Sequence, residues 1–393
     1  MKKTISILMV VTMMILSITA TSAIETNQNS VAVGGLGILT IKEDGTLWME
    51  QYNLNQQKEN ATSKSGPVKI TDHATAVIAG LFHNLVIRED NSLWAWGDNE
   101  YGGLGNGTNK KTDSPVKIMD DVSCAAVGWK HSLVVKKDNS LWVWGENDDG
   151  QLGDGTDKSK NAPIKIMEDV ISVAAGAEHS LALKKDGTLW AWGNNSFGQL
   201  GDGTKNECLT PIKIMEDVDY ISASLDTSFA VKKDGILWGW GKNTYGELGI
   251  GSLGMLDNNS DGMTTPVKIM EDVKMVSNSS YTLAVKNDGT LWAWGIYWPY
   301  TKNINGTITG SAITVSASPT KIMDQIAAIS YGVNPLVIKE DGTTWDFGIK
   351  DESQLQQGIT QIKIVPVKIT DNVKSLEKKS GNSFWNWLKN LFK

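Results

Sequence analysis

The chain has 393 residues, with 44 Asp and Glu against 37 Lys and Arg, for a net charge of −7. Acidity together with a single arginine, Arg88, excludes a face that wraps nucleic acid and leaves almost nothing for bidentate phosphate or base readout. The two cysteines, Cys124 in a strand-like run and Cys208 in a loop, make no disulfide framework.

Residues 1–23 have the layout of a secretory leader. Lys2 and Lys3 precede the apolar run Ile5 to Ile18, and Thr21-Ser22-Ala23 offers small residues for cleavage. That run is shorter than the roughly 20 residues a membrane span needs. No cysteine follows the cleavage point to take a lipid. The expectation is a protein secreted or held at the cell surface, whose charge becomes −9 once Lys2 and Lys3 are removed. Residues 24–30 form a short leader to the folded part.

From 31 to 376 the chain repeats. The tryptophans that open each copy are Trp48, Trp94, Trp142, Trp190, Trp238, Trp292 and Trp345, at spacings of 46, 48, 48, 48, 54 and 53. Pro-x-Lys-Ile recurs in step at Pro67, Pro115, Pro163, Pro211, Pro266, Pro319 and Pro366. Two independent marks with seven copies each mean seven structural units. In unit four, Val173 to Ala175 is strand A, and the alternating run after His179 is strand B. Asp186-Gly187 makes a tight turn into strand C, Leu189 to Trp192, and a Gly-rich loop leads to strand D at Pro211. Strand C is apolar on both faces, which a sheet needs only when both faces are covered, as in propeller blades. After the last Pro-Val-Lys-Ile, residues 370–376 are in phase with another strand A. The N- and C-terminal strands are therefore expected to meet in one blade and close the ring.

Val173 to Leu183 resembles the signature of the regulator of chromosome condensation repeat family, as does the loop Trp-Gly-x-Asn-x-x-Gly-x-Leu-Gly at Trp96, Trp144, Trp192 and Trp240. The likeness is strong in units two to four. It weakens where Thr227, Tyr281 and Asn334 replace the histidine, and where Glu50 and Phe347 replace the second tryptophan. The resemblance implies an all-β, seven-bladed propeller of four-stranded antiparallel blades. It implies two activities, enzyme inhibition, as by the secreted bacterial propellers that inhibit β-lactamases, and guanine nucleotide exchange. Export, acidity and the lack of a long inserted wedge argue against exchange.

The repeat also removes candidates for catalysis. His83, His131 and His179 recur every 48 residues and read as turn histidines. Twelve of the 16 tryptophans occupy strand C and read as core, and His73 stands outside the frame with no nucleophile motif nearby. No catalytic residue is singled out, and the expectation is not an enzyme and no cofactor.

What varies lies in the A–B turns and C–D loops, which share one face of the ring. Exposed aromatics there are the usual anchors of binding surfaces. The partner-binding candidates are Phe82, Trp129, Tyr101, Phe197, Tyr245, Tyr297, Trp298 and Tyr300. For Tyr101, Phe197 and Tyr245, which share one repeat position, packing over the loop beneath is the competing reading. The loop Asp257, Asn259, Asp261, Gly262 resembles the start of a calcium site, but its twelfth position is Lys268 rather than Glu, and a hydrophilic surface loop is the stronger reading.

Residues 377–393 are a linker and tail. Phe384, Trp385, Trp387, Leu388, Leu391 and Phe392 fall on one side of a helix of about 15 Å. That helix fits reversible contact with a membrane surface and docking onto protein equally well. The functional expectation is an exported, monomeric, non-catalytic propeller that binds another protein, as an inhibitor or a surface interaction module. The alternative is a cell-wall or carbohydrate-binding module. The sequence does not name the partner.

Overall fold

The computed structural model describes residues 31–35, 37–42, 44–51, 67–254, 262–278, 281–297, 300–302, 308–310, 313–330, 337–341, 343–346 and 367–370. Their regular structure is all strand, and none of them forms a helix long and apolar enough to cross a membrane. The strands make seven four-stranded antiparallel sheets and one two-stranded ladder. Each four-stranded sheet takes its strands in sequence order. Unit four runs Val170–Ala175, His179–Lys184, Leu189–Gly193 and Cys208–Met215. The ladder, Tyr300–Lys302 with Ile308–Gly310, lies inside the long connection of unit six.

The first and seventh sheets bear on ring closure. The first holds Val31–Gly34, Gly37–Ile41, Leu47–Gln51 and Val68–Thr71. The seventh holds Ile326–Ile329, Val337–Lys339, Thr344–Asp346 and Val367–Thr370. The A place of the first sheet is thus filled by the N-terminal strand itself. The expected exchange of terminal strands falls on residues 371–376, which lie outside the described residues, as do the tail from 377 to 393 and the leader.

The core lies between sheets. Leu189 and Ala191 of unit four pack with Val218, Ile221 and Ala230 of unit five, while Trp192 from the other face of the same strand packs with Leu133, Val143 and Leu152 of unit three. Six such clusters join the seven sheets in succession, like the blades of a propeller.

One expectation about this core needs correction. The second tryptophan of each pair is buried (Trp96, Trp144, Trp192, Trp240, Trp294), but the first, expected to be core, is only half-buried in every unit. In five of the seven units its ring carries a cation from the end of strand B: Lys42 over Trp48 and Arg88 over Trp94, each at 3.8 Å, with Lys184, Lys286 and Lys339 over Trp190, Trp292 and Trp345. The one arginine is therefore a lid on a tryptophan, and it also donates to Thr71 Oγ1.

The edge of the same tryptophan is tied to the B–C turn. In unit four Asp186 Oδ1 accepts from the backbone N–H and the hydroxyl of Thr188, and Thr188 Oγ1 accepts from Trp190 Nε1 at 3.0 Å. The Asp-Gly-Thr-Leu-Trp pattern is one hydrogen-bonded unit, repeated with Ser or Thr at Thr46, Ser92, Ser140, Thr290 and Thr343. Unit five breaks it. Ile236 stands where the hydroxyl should be, and Trp238 Nε1 is buried with no partner among the described residues. Asp234 Oδ1 still accepts from the Ile236 N–H at 3.0 Å, so the acceptor for a hydroxyl is already in place. Ile236→Thr is expected to stabilise the fold by about 1 kcal/mol, raising Tm by roughly 2–4 °C. A calorimetric scan showing an unchanged or lower Tm contradicts this account of the turn.

Candidate functional site

The face with the A–B turns and C–D loops rests on a repeated clamp between sheets. His83, His131 and His179 are fully buried, and each Nε2 lies 2.8–3.1 Å from the hydroxyl of Ser132, Ser180 or Ser228 in the next sheet. Those hydroxyls donate to the C–D loop carbonyls of Gly103, Gln151 and Gln199. With its proton so committed, each serine oxygen accepts from the imidazole, which therefore donates through Nε2–H. The same three carbonyls also accept from Trp144, Trp192 and Trp240 Nε1 at 2.8–2.9 Å. Close approach demands glycine beneath the ring: a Cβ on Gly176 would lie 2.1 Å from His179 Cε1. Burial lowers the imidazole pKa to about 4 for His83 and about 3 for His131 and His179, so all three are neutral at pH 7. Expected as turn histidines, each instead opens a strand and ties its sheet to the next.

Loss of the histidine changes the turn. In unit five Thr227 takes its place, donating to Ser224 O and accepting from Asn278 of unit six at 2.6 Å. Ser224 pairs directly with Thr227, so Leu225-Asp226 is a two-residue hairpin turn, and Leu225 is forced to φ 47°. His73 likewise has a structural place. It occupies the positive-φ position of a D–A turn, where Asp121, Asp169, Asp217 and Asp272 stand in later units.

The C–D loops are pinned by one asparagine each. Asn147 Oδ1 accepts from Leu152 N, and its amide donates to the Thr156 and Lys158 carbonyls; Asn99 and Asn195 do the same. Gly153, at φ 71°, lies so close that a Cβ would meet Trp192 Cδ1 at 2.7 Å. The variable positions of this face are thus presented on loops pinned at both ends.

Of the predicted aromatics, Phe82 and Trp129 are 37% exposed and project from the A–B turns of units two and three. Tyr101, Phe197 and Tyr245 are half-buried in the C–D loops. The lysine ammonium groups of the next unit cap two of them, Lys130 over Tyr101 at 4.0 Å and Lys242 over Phe197 at 4.8 Å. The chain brings Phe82, Tyr101 and Lys130 to one small depression, beside a shallow cavity of about 280 Å³ lined by Tyr101, Asn109, Lys160 and Ile164. Tyr297 ends a strand paired with Ile313, and Tyr300 opens the two-stranded ladder. Trp298, the Asp257, Asn259, Asp261 loop and the aromatic tail lie outside the described residues.

Leu225, absent from the predicted set, is also 37% exposed. Its signal was the A–B turn column Leu81, Trp129, Ala177, Leu225, read across units rather than along them. Backbone bonds link these turns sheet to sheet: Trp129 N–H donates to Ala177 O at 3.2 Å, and Ala177 N–H to Leu225 O at 2.8 Å.

Charge on this face is uneven. Lys130 pairs with Glu146 at 3.1 Å, and Lys242 with Asp226 at 3.3 Å. Between them, the Asn194 amide bridges Asp149 Oδ1 at 2.8 Å and Glu178 Oε2 at 3.5 Å. Partial burial, reinforced by Asp149, Glu146 and Asp226, raises the pKa of Glu178. Gln199 gives its amide to Asn194, but its counterpart Gln151 has Glu146 at that place. Glu146 turns to Lys130, and Gln151 Nε2 is left buried without a partner among the described residues.

Neutral buried histidines make a signed prediction. Unfolded histidine binds a proton below pH 6.5 and these three do not until about pH 4 or 3, so stability is lost as pH falls through that window. Urea unfolding at pH 7.5, 6 and 5 should show falling stability, with a slope approaching 1.4 kcal/mol per pH unit per histidine. Stability that stays flat between pH 7.5 and 5 contradicts the buried, neutral clamp.

Comparison with known proteins gives a consistent result. The family profile described as the RCC1-like domain matches residues 122–384, and the regulator of chromosome condensation repeat matches residues 90–135 and 75–102. Among solved structures, human WBSCR16 is similar at a TM-score of 0.62 and 21% identity, covering 77% of this chain and 84% of that one. Yeast RCC1 (Prp20) bound to Kap60 is similar at 0.61 and 20%, covering 76% and 75%. Prp20p of Saccharomyces cerevisiae, from a structure whose description names binding properties to Gsp1p and histones, is similar at 0.61 and 22%, covering 76% and 77%. At these identities the likeness is one of fold. The search of curated proteins returned no match.

Proposed function

This chain belongs to the RCC1-like domain family, and from that premise we propose that it is a non-catalytic propeller that captures another protein through its A–B turns and C–D loops. The observation that carries the reading is the trio Phe82, Trp129 and Leu225. Three large apolar side chains stand 37% exposed at the A–B turns of a scaffold whose recurring histidines and second tryptophans are buried between sheets. Leu225 adds weight, because a leucine in the left-handed region costs roughly 1–2 kcal/mol that glycine would avoid. Protein partners also suit the fold: yeast Prp20 is described with Kap60, Gsp1p and histones as partners.

Residues 1–23 favour capture outside the cell, where the propeller acts as an inhibitor or a surface interaction module. The decisive variants are Phe82→Ala with Trp129→Ala, and separately Leu225→Gly. In affinity capture from culture supernatant and cell envelope, both should recover at least tenfold less partner than the wild type. The first should keep Tm within about 2 °C, and the second should not lower it at all. Undiminished capture by both refutes this face as the site. A fall of several degrees in the double variant makes Phe82 and Trp129 core residues instead, and binding to purified peptidoglycan without any protein partner transfers the assignment to carbohydrate.

A further inference from the structure

The groove between the C–D loops of units two and three differs from its counterparts. Its cavity of about 280 Å³ is bounded by Tyr101 and Asn109 from unit two and by Ser159, Lys160, Asn161 and Ile164 around the start of strand D in unit three. Gly102 brings the two units together, since a Cβ there would lie 2.5 Å from Asn161 Cα, and Gly107 N–H donates to Asn161 O at 2.8 Å. The same approach recurs at Gly150 against Leu209 and at Gly198 against Thr264, so the grooves correspond residue by residue. In the next groove Asp149, Asp157 and Leu209 stand where Tyr101, Asn109 and Asn161 do, and in the one after it Phe197, Lys205 and Thr264. Of these three, only the first joins an aromatic ring to two amides.

The two amides hold each other in place: Asn161 Nδ2 donates to Asn109 Oδ1 at 2.9 Å, and Asn109 Nδ2 to Glu100 O at 2.7 Å. Each nitrogen keeps one proton and Asn161 Oδ1 keeps its lone pairs, while among the described residues the hydroxyls of Tyr101 and Ser159 have no partner. The one cation in the lining, Lys160, is already paired with Asp154 at 3.3 Å, so no uncompensated charge awaits an anion. Lys130, which does not line the cavity, covers one face of Tyr101 at 4.0 Å, and the cavity meets the rest of the ring. We propose that this groove binds one neutral sugar ring. Sugar hydroxyls both donate and accept, as this mixed lining requires, and the C–H face of a pyranose matches the apolar, electron-rich ring of Tyr101. An apolar ligand would leave the amides unused, and an anion would have to displace Asp154 from Lys160. Ligand pockets start at about 300 Å³, so a cavity of this size holds a single ring. The site does not rest on the protein-capture reading, since neither Phe82 nor Trp129 lines it.

The test titrates the full chain, by calorimetry and saturation-transfer NMR, with the methyl β-glycosides of glucose, galactose, mannose and N-acetylglucosamine. Sorbitol serves as an open-chain polyol and methyl glucuronide as an anion. At least one neutral glycoside should bind at least fivefold more tightly than sorbitol, with an affinity that about 0.5 M salt leaves unchanged. Tyr101→Ala should weaken it at least tenfold, and Tyr101→Phe, which keeps the ring, less than threefold. Asn161→Leu copies the residue of the next unit, Leu209, and should abolish binding with Tm unchanged. The free sugar run beside its methyl glycoside separates the two sources: equal affinity supports the end of a glycan chain, and binding of the free sugar alone supports a soluble sugar. No binding by any of the sugars, tighter binding of the glucuronide, or undiminished binding in both Tyr101→Ala and Asn161→Leu overturns the proposal. Glycoside binding should survive Phe82→Ala with Trp129→Ala, so failure of this site and failure of protein capture are read separately.

Discussion

The molecule depends on one shared acceptor. A single loop carbonyl, that of Gly103, Gln151, Gln199 or Glu247, takes a hydrogen bond from a tryptophan Nε1 and another from a Ser or Thr hydroxyl of the following sheet. Both lone pairs are used, in a setting where an unpaired group would cost about 1–3 kcal/mol. The contact is tolerant of loop length. Unit five carries an insertion, so the bonds to Glu247 O span 47 and 35 residues instead of 41 and 29, yet their lengths stay at 2.8 Å. A scaffold that registers its sheets through loop carbonyls can therefore vary the remainder of the loop. That freedom separates what holds the ring from what meets a partner.

The same separation explains how much could be read from the chain. Period, strand order and the structural status of His83, His131 and His179 follow from recurrence, because a residue repeated every 48 positions serves the repeated scaffold. The exposure of Phe82 and Trp129 was also legible, since they break the turn column. Three things were hidden. The half-burial of the first tryptophans, five of them with a cation from the end of strand B over the ring, is a cross-strand relation that strand C does not record. The capping of Tyr101 by Lys130 and of Phe197 by Lys242 joins residues of different units, 29 and 45 positions apart. Leu225 was hidden because leucine in a turn looks ordinary until Ser224 pairs with Thr227 and shortens the turn to two residues.

Degenerate units are informative for the same reason. Unit five lacks the turn hydroxyl at Ile236 and the histidine at Thr227, and it compensates only for the second, through Asn278. The orphaned Trp238 and the left-handed Leu225 both lie in this unit, on opposite ends of the sheet. Only Leu225 lies on the face with the exposed aromatics. The positive φ at that end leaves an apolar side chain exposed on the face proposed to bind, while the indole at the other end is buried without a partner among the described residues.

The central claim is that the Gly-x-x-His and tryptophan motifs build the scaffold while the variable turn residues bind. Ser180→Ala tests it most directly, because Ser180 is fully buried and joins His131 to the Gln151 carbonyl without reaching the surface. Partner capture by this variant, measured well below its Tm, should equal wild type although stability falls by about 1–3 kcal/mol. A variant that folds normally and loses capture would place function in the clamp and contradict the account.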